Sequence, residues 1–298
     1  MDSKKISNST DFENVMNDLK DKFKGMFWGL VVGDCLGSPI QFSGKDDHEF
    51  ITKMVPCQHF HTPAGYWTDD SSMAFCIAES YVRMKRFVLK DIANNFCRWL
   101  FEGFWSSKDR AFDVGGATKN AVNAIHYKRS LKNGTDDTQG NGSIMRFAPS
   151  FIMNYGAPDN VMLYEISDLT HYSQTVRDTV DLMASILTEH VQGARTSQQS
   201  IYKTREDVDN SGWAVSTLQA ALWAFNATND FESGLIQAVN LGGDSDSIGA
   251  VFGQIAGAYY GFDAIPQSWV KAVKTYETVN ELIEATIDVK MEEMNQHE

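Results

Sequence analysis

The chain has 298 residues and a mass of 33.4 kDa, which favours one large domain over two packed halves. With 43% hydrophobic and 22% charged residues, the composition excludes a largely disordered chain. The net charge of −13 argues against nucleic acid or an anionic membrane surface as the main partner.

The cellular compartment of the protein is indicated by the absence of a signal peptide, a transmembrane stretch and paired cysteines. The first 25 residues mix acidic and basic side chains without an apolar stretch, and no later run approaches the roughly 18 apolar residues of a transmembrane helix. The cysteines form no CxxC pair, and two lie in apolar helical stretches. We therefore expect a cytoplasmic protein without a membrane span, in which Cys35, Cys57, Cys76 and Cys97 are reduced core thiols.

Apolar residues recur at three- and four-residue spacing along most of the chain, which is the pattern of amphipathic helices. Predicted helices cover residues 12–32, 73–84, 88–100, 117–125, 161–169, 176–191, 213–225, 235–239, 248–259 and 282–294. Residues 50–66 form an irregular excursion, and no convincing period-two strand is present. The sequence therefore predicts an all-α fold.

The chain shows no internal repeat and no low-complexity linker, so a single compact multi-helix domain is expected. Two polar stretches, residues 128–142 and 195–212, interrupt the helices. We divide the chain into an N-terminal extension, residues 1–24, helical in part, and a main domain, residues 25–298. The apolar stripe of the extension, from Asp11 to Lys24, serves either core packing or a protein partner.

The segment Tyr66-Trp-Thr-Asp-Asp-Ser-Ser-Met73 directly precedes an apolar helix. Thr68 and the carboxylates of Asp69 and Asp70 have a structural explanation, because such residues cap helices and favour the macrodipole. The alternative is a binding site, since capping requires one oxygen and this segment offers several.

A second acidic segment, Gly242-Gly-Asp-Ser-Asp-Ser247, also precedes an apolar helix. Crowded carboxylates raise each other's pKa unless a cation lies between them, and Mg²⁺ and Mn²⁺ prefer such oxygen ligands. If the two acidic helix starts face each other, they form a cup for two metal ions. Periodicity alone does not decide whether they meet.

Small residues mark three further segments. Gly29, Gly33 and Gly37 allow close approach either of another helix or of a ligand. Gly140-Asn-Gly-Ser143 is predicted to be a loop that enters a helix and whose free amides suit a diphosphate. Gly115-Gly116 offers the same chemistry or a simple turn, and His171 between two helices is either a capping or a functional histidine.

In this order and spacing, the segments resemble the ADP-ribosylglycohydrolase family. The similarity rests on Gly33-Asp-Cys-Leu-Gly37, Thr68-Asp-Asp70, Gly140-Asn-Gly-Ser-Ile-Met-Arg146, Leu169-Thr-His171 and Gly243-Asp-Ser-Asp-Ser247. It covers roughly residues 24–262 and, more loosely, the C-terminal helices. The resemblance implies a compact orthogonal multi-helix bundle, two Mg²⁺ or Mn²⁺ ions between the acidic helix starts, and hydrolysis at the terminal ribose C1 of ADP-ribose.

Roles are implied by the resemblance, position by position. It implies that the metal ligands are Thr68, Asp69, Asp70, Asp244, Asp246 and Ser247, with Asp69 or Asp70 as the catalytic base. It implies that the substrate contacts Gln41, Gly115, Gly116, Asn141, Gly142, Ser143 and His171. Two positions depart from the family: Gln41 replaces a usual glutamate, and Ser247 replaces a usual threonine while keeping the hydroxyl.

The function predicted is metal-dependent removal of ADP-ribose from protein side chains, arginine-linked above all, by a metal-activated water that attacks ribose C1. An ADP-ribosylated protein would be the substrate and ADP-ribose the product. One alternative is a protein on the same fold that binds ADP-ribose, or blocks a partner through its N-terminal extension, with weak or no turnover. Another is a two-metal phosphohydrolase that cleaves pyrophosphate.

Overall fold

The computed structural model describes residues 9–296, which form twelve α-helices and three short 3₁₀ turns. Residues 1–8 and 297–298, at the ends of the predicted extension and of the predicted main domain, lie outside the described residues. The helices are α1 Ser9–Gly37, α2 Asp69–Met84, α3 Leu89–Glu102, α4 Gly116–Lys128, α5 Ala148–Asn154, α6 Val161–Asp168, α7 Gln174–Val191, α8 Ala214–Ala227, α9 Phe231–Val239, α10 Ser245–Tyr260, α11 Gln267–Ala272 and α12 Tyr276–Gln296. No strand occurs between residues 9 and 296, where two isolated bridges are the only β pairing, so the all-α prediction is confirmed.

Helices α1 and α10 form the centre of the fold and pack with almost no side chains between them. Glycines at four-residue spacing lie on one face of each helix, because residues i and i+4 share a face. A Cβ at Gly29, Gly33, Gly249 or Gly253 would overlap backbone atoms of the other helix. These glycines therefore serve helix packing, which settles the alternative left open for Gly29 and Gly33 in favour of the structural explanation.

The hydrophobic core surrounds this helix pair. Phe23, Phe27 and Trp28 of α1 are fully buried, as is Phe252 of α10. A second buried cluster lies between α2, α3 and α4. None of the helices described is long and apolar enough to span a lipid bilayer.

The predicted extension is not separated from the main domain in the described residues. Helix α1 runs without a break through residues 24 and 25. Leu19 and Phe23 of its apolar stripe are buried in the core, while Val15 is 52% exposed. Most of the stripe thus packs inside the fold, and a partner role for this segment stays a prediction.

The structure corrects one predicted helix start, adds two short helices that were not predicted, and confirms the prediction for the cysteines. The Gly140–Ser143 segment does not enter an α-helix: Asn141–Ser143 is a 3₁₀ turn, and α5 starts later, at Ala148. The short helices α5 and α11 were not predicted. All four cysteines are buried and free, as expected.

Candidate active site

A cavity of about 500 Å³ opens where the start of α2, the start of α4 and the start of α10 converge. Most of the predicted site residues line this cavity: Gln41, Asp69, Asp70, Gly115, Gly116, Asn141, Gly142, His171, Asp244, Asp246 and Ser247. Thr68 and Ser143 do not line it but are buried. The structure therefore brings together segments that are far apart in sequence.

Asp34, which follows Gly33 in the last turn of α1, fixes the start of α2. Its carboxylate accepts hydrogen bonds from the backbone amides of Thr68 (3.0 Å) and Ser71 (3.0 Å). It also accepts from the hydroxyls of the same two residues, at 2.8 and 2.6 Å. Asp34 thus satisfies free amides at the helix start, and the sequence motifs alone indicated no such role for it.

Thr68 is the N-cap residue of α2, yet its side chain makes no capping hydrogen bond. Its hydroxyl oxygen lies 2.8 Å from Asp34 Oδ1 and 3.3 Å from both Asp70 Oδ2 and Asp246 Oδ2. A hydroxyl donates one proton, and the shortest of these contacts assigns it to Asp34. The oxygen is then left beside two further carboxylates, which is unfavourable unless a proton or a cation lies among them. The two acidic helix starts meet at this point.

Several oxygens around this point are buried without a hydrogen-bond partner in the described part of the chain. They are Asp70 Oδ1, Asp246 Oδ1, Asp113 Oδ2 and Gln41 Oε1. Burial, and then the charges of neighbouring carboxylates, raise the pKa of Asp69, Asp70 and Asp246 well above the ordinary value. A buried polar atom without a partner is costly, so this oxygen-rich donor set fits a hard divalent cation.

No group of three or more His, Cys, Asp and Glu side chains in residues 9–296 is arranged to hold a metal ion by itself. Mg²⁺ commonly takes only one or two carboxylates and keeps several waters. Hydroxyls of Thr68 and Ser247 and waters in the cavity would therefore have to complete any coordination shell here.

The 3₁₀ turn Asn141–Ser143 is attached to the second acidic segment. The Asn141 side-chain amide donates to Asp244 Oδ2 at 2.5 Å and to Thr217 Oγ1 at 2.9 Å. A Cβ at Gly142 would overlap the imidazole of His171. Gly142 is thus required by the close approach of this ring.

A buried hydrogen-bond chain orients His171. Arg146 Nη2 donates to Thr170 Oγ1 at 2.7 Å, and Thr170 Oγ1 lies 2.7 Å from His171 Nδ1. Because the guanidinium only donates, the Thr170 proton has Nδ1 as its acceptor, and the ring proton of a neutral His171 lies on Nε2. Burial, and then the charge of Arg146, lower the pKa of His171 to about 3. His171 is therefore a neutral donor facing Gly140 and Gly142 and not a helix cap.

Sequence reasoning missed other residues at this cavity. Asp113 lines it with a left-handed backbone (φ 56°), and its carboxylate interacts with the side chains of Asp246 and Gln41. The one signal for Asp113 is its place just before the Gly115-Gly116 pair. Phe42, His59 and Phe60 also line the cavity, and nothing in the helical periodicity marks them.

The protein is an all-α protein in which two acidic helix starts and a glycine-containing turn enclose one cavity. Comparison with known proteins identifies its family. The model of the ADP-ribosylglycohydrolase family matches residues 16–210 and 194–296. The chain belongs to the ADP-ribosylglycohydrolase family.

Named relatives are ADP-ribosyl hydrolases. The chain is 33% identical to ADP-ribosylarginine hydrolase Tri1 of Pseudomonas putida, over 90% of this chain and 78% of that protein. It is 28% identical to ADP-ribosyl-[dinitrogen reductase] glycohydrolase of Rhodospirillum rubrum, over 84% of this chain and 89% of that protein. A solved structure described as an ADP-ribosylglycohydrolase-related protein complex superposes with a TM-score of 0.80 at 31% identity, covering 92% of this chain and all of the other.

Proposed function

We propose that this protein hydrolyses the bond between ribose C1 of ADP-ribose and an arginine side chain of a modified protein. The observation that carries the proposal is the meeting of α2 and α10 at Thr68, where Asp70 and Asp246 both lie 3.3 Å from one hydroxyl oxygen. The names of the relatives support hydrolysis of ADP-ribosyl bonds, and that of the Pseudomonas putida protein supports arginine as the acceptor.

The donor set suits two Mg²⁺ or Mn²⁺ ions. The residues that would hold them are Thr68, Asp69, Asp70, Asp244, Asp246 and Ser247. When bound, such cations orient the ribose hydroxyls and lower the pKa of a water ligand. The unpartnered oxygens of Asp70 and Asp246 are the feature of this chain that favours their presence.

The substrate would lie across the cavity with its diphosphate on the Asn141–Ser143 turn. The Asn141 amide already donates to the Gly212 carbonyl, so the amides of Gly142 and Ser143 and the Nε2–H of His171 are the donors for the phosphate oxygens. Such neutral donors let a chain of net charge −13 hold an anion. The hydrogen bond from Asn141 to Asp244 fixes the distance between this turn and the carboxylates. Ribose C1 is then positioned among the carboxylates.

The bond between C1 and the guanidine nitrogen breaks through an oxocarbenium-like state while a water oxygen bonds to C1. Asp69 or Asp70 takes one proton of that water and returns it to the leaving nitrogen, so the arginine side chain of the protein is restored as its guanidinium. One water is consumed, and ADP-ribose is released with its anomeric hydroxyl.

The deciding experiment offers the protein arginine-linked and serine-linked ADP-ribosylated substrates, with chelator, with Mg²⁺ and with Mn²⁺. We expect ADP-ribose release from the arginine-linked substrate that chelator stops and cation restores. AMP as the product would instead show the phosphohydrolase. Binding of ADP-ribose without any product would show the binding protein.

The matched variants are Asp246→Asn and Glu232→Gln, since both remove an acid from the first turn of a helix and Glu232 of α9 is exposed. Asp246→Asn is expected to abolish release while the helical circular dichroism stays intact. In the parent, a cation at 100 times its Kd is expected to raise the unfolding free energy by about 2.7 kcal/mol. Asp246→Asn is expected to lose most of this stabilisation. A melting curve indifferent to both cation and chelator would rule out the metal site.

A further inference from the structure

Aromatic side chains border the acidic cavity, and no step of the proposed hydrolysis uses them. The ring centroids of Phe42 and His59 lie 4.9 Å apart, those of His59 and Phe60 4.8 Å, and those of Phe60 and Phe112 5.2 Å. Phe42, His59 and Phe60 line the cavity. We call Phe42, His59, Phe60 and Phe112 the aromatic rim.

Core packing does not explain the placement of Phe42. Its side chain is 61% exposed, so it contributes little hydrophobic free energy to folding. Its backbone is left-handed (φ 69°), which costs a non-glycine residue roughly 1–2 kcal/mol. Strained residues of this kind are concentrated at functional sites.

The acidic loop itself holds Phe42 in place. The Phe42 amide donates to the Gly243 carbonyl at 2.7 Å, and the Gly243 amide donates to the Ser43 carbonyl at 2.7 Å. Gly243 immediately precedes Asp244. The backbone of Phe42 is therefore fixed to the segment that carries Asp244 and Asp246.

The rim flanks the carboxylates and not the diphosphate turn. Phe42 follows Gln41 and Phe112 precedes Asp113, and both Gln41 and Asp113 line the cavity beside the carboxylates. The turn at Gly142 packs instead against His171. If the diphosphate occupies the turn and C1 lies at the carboxylates, as the proposed function states, the acceptor leaves the cavity past the rim.

Charge and shape at the rim favour one class of acceptor. Aromatic faces attract cations, and the neighbouring carboxylates add a negative field. A guanidinium is planar, permanently charged and weakly hydrated, so it stacks on such rings better than an ammonium does. A neutral hydroxyl-derived acceptor gains neither contribution.

We propose that the aromatic rim is the acceptor subsite, which holds the guanidinium of the modified arginine and gives the protein its preference for cationic acceptors. The inference rests on the proposed function for the position of C1.

The test compares Phe42→Leu with Phe42→Trp. Leucine keeps an apolar side chain but removes the π face, whereas tryptophan offers the strongest one. Phe42→Leu is expected to lower kcat/KM for the arginine-linked substrate about fivefold to tenfold, mainly through KM, and Phe42→Trp to retain or exceed the parental value. The Kd of free ADP-ribose, which lacks the acceptor, is expected to change less than about twofold in both variants.

Phe50→Leu is the matched control, because Phe50 is 68% exposed and does not line the cavity. Phe50→Leu is expected to leave both kcat/KM for the arginine-linked substrate and the Kd of ADP-ribose unchanged. Phe60→Leu repeats the test at a second cavity-lining ring if Phe42→Leu folds poorly, whereas the ring of Phe112 already has Lys108 Nζ 5.1 Å from its centroid.

Equal losses for the arginine-linked substrate and for ADP-ribose would overturn the inference by placing the rim against ADP-ribose itself. Unchanged kcat/KM for the arginine-linked substrate in both Phe42→Leu and Phe60→Leu would also overturn it. If the parent releases no ADP-ribose, the proposed function fails, and the rim is tested by the Kd values of ADP-ribosylarginine and ADP-ribose. Tighter binding of ADP-ribosylarginine than of ADP-ribose in the parent, lost in Phe42→Leu, would support the subsite. Equal Kd values of the two ligands in the parent would contradict it.

Discussion

Gln41 lies among carboxylates, at the position where the resemblance described above implies a glutamate. Its side-chain oxygen is buried without a partner among the described residues. The interaction of its side chain with Asp113 and Asp244 lowers the pKa of both acids, which opposes the effect of their burial. A neutral amide therefore reduces repulsion here, which a carboxylate would increase.

Replacing Gln41 with Glu tests whether this position supplies a missing base. We expect turnover to change less than about tenfold or to fall, because in the proposed function the general-base help, typically worth about 10² to 10⁴ in rate, is assigned to Asp69 or Asp70. The metal-free variant is expected to melt below the parent, since another carboxylate joins the cluster. Steady-state kinetics and thermal melts in chelator provide the two readouts.

Gln237→Glu on the exposed face of α9 is the control for added charge. A tenfold or larger gain in turnover on Gln41→Glu, with an acidic limb in the pH profile that the parent lacks, would contradict the expectation. It would instead make position 41 the general base.

The sequence predicts the place of some residues in the site but not that of others. The cavity residues Asp69, Asp70, Asp244 and Asp246 lie in ordered motifs, so their positions along the chain were predictable. Asp113 and Phe42 owe their place to left-handed backbone conformations and to partners distant in sequence. Neither property produces a periodic pattern.

At the scale of elements, the contact of α1 with α10 sets the geometry of the site. Asp34 of α1 holds the start of α2, and Gly37 of α1 packs on the backbone of Ser245 and Asp246 in α10. The separation of the two acidic segments is thus fixed by the close packing of this helix pair.

Gly253→Ala tests that role, because a methyl group there would overlap the backbone of Gly29, which cannot move aside as a side chain can. Overpacking against backbone is expected to cost about 3 kcal/mol or more of unfolding free energy. Chemical denaturation measures the loss. Gly116→Ala is the matched control, since nothing lies within 4 Å of the added Cβ, and the same change there is expected to be neutral or slightly stabilising. Equal effects of the two substitutions would show that helix separation is not the constraint.

His190 of α7 makes the packing of α7 on α10 dependent on pH. Its Nδ1 lies 2.8 Å from the Ile255 carbonyl, so Nδ1 carries the proton, while the buried Nε2 has no partner in residues 9–296. Burial is the main cause that lowers its pKa, from 6.5 to about 4. The folded state therefore favours neutral His190, and its contribution is complete above pH 6.5 and declines as the pH falls towards 4.

At pH 5 this linkage costs about 2 kcal/mol of unfolding free energy relative to pH 7. His190→Asn keeps a donor near the Ile255 carbonyl but does not titrate, so its stability is expected to fall less over this range by about that amount. Urea denaturation of both proteins at pH 7 and pH 5 gives the difference. Parallel losses in parent and variant would contradict the assignment.

The long periodic helices were predictable and the short ones were not. The seven residues of α5 and the six of α11 span too few turns to establish a period. The 3₁₀ turn at Asn141–Ser143 was mistaken for a helix entry because its glycines signal a turn without specifying the conformation of the next residues. That α2 and α10 meet could not be read from periodicity, which describes each helix separately.

For the whole molecule, contacts between the two ends of the chain join the helices into one unit. Helix α1 packs on α10, and the Tyr81 hydroxyl of α2 donates to Glu293 of α12 at 2.8 Å. The two matched segments of the family model, residues 16–210 and 194–296, are therefore interleaved in space and are not separate domains.

Unfolding is accordingly expected to be a single cooperative transition. Calorimetry in chelator and in Mg²⁺ should give one peak, with the van't Hoff enthalpy close to the calorimetric enthalpy. Two peaks, or a variant such as Gly253→Ala that melts in only part of the chain, would show that the segments unfold independently.

The pairing of α1 with α10 also constrains how the protein is made. The glycines of α1 leave the ribosome early, and their partners Gly249, Gly253 and Gly257 are synthesised more than 200 residues later. At 5 to 20 residues per second this delay is roughly 10 to 40 s, during which the glycine face of α1 lacks its partner helix. Because Asp244 and Asp246 belong to the same late segment as α10, neither the cavity nor its acidic cluster can form until most of the chain has been made.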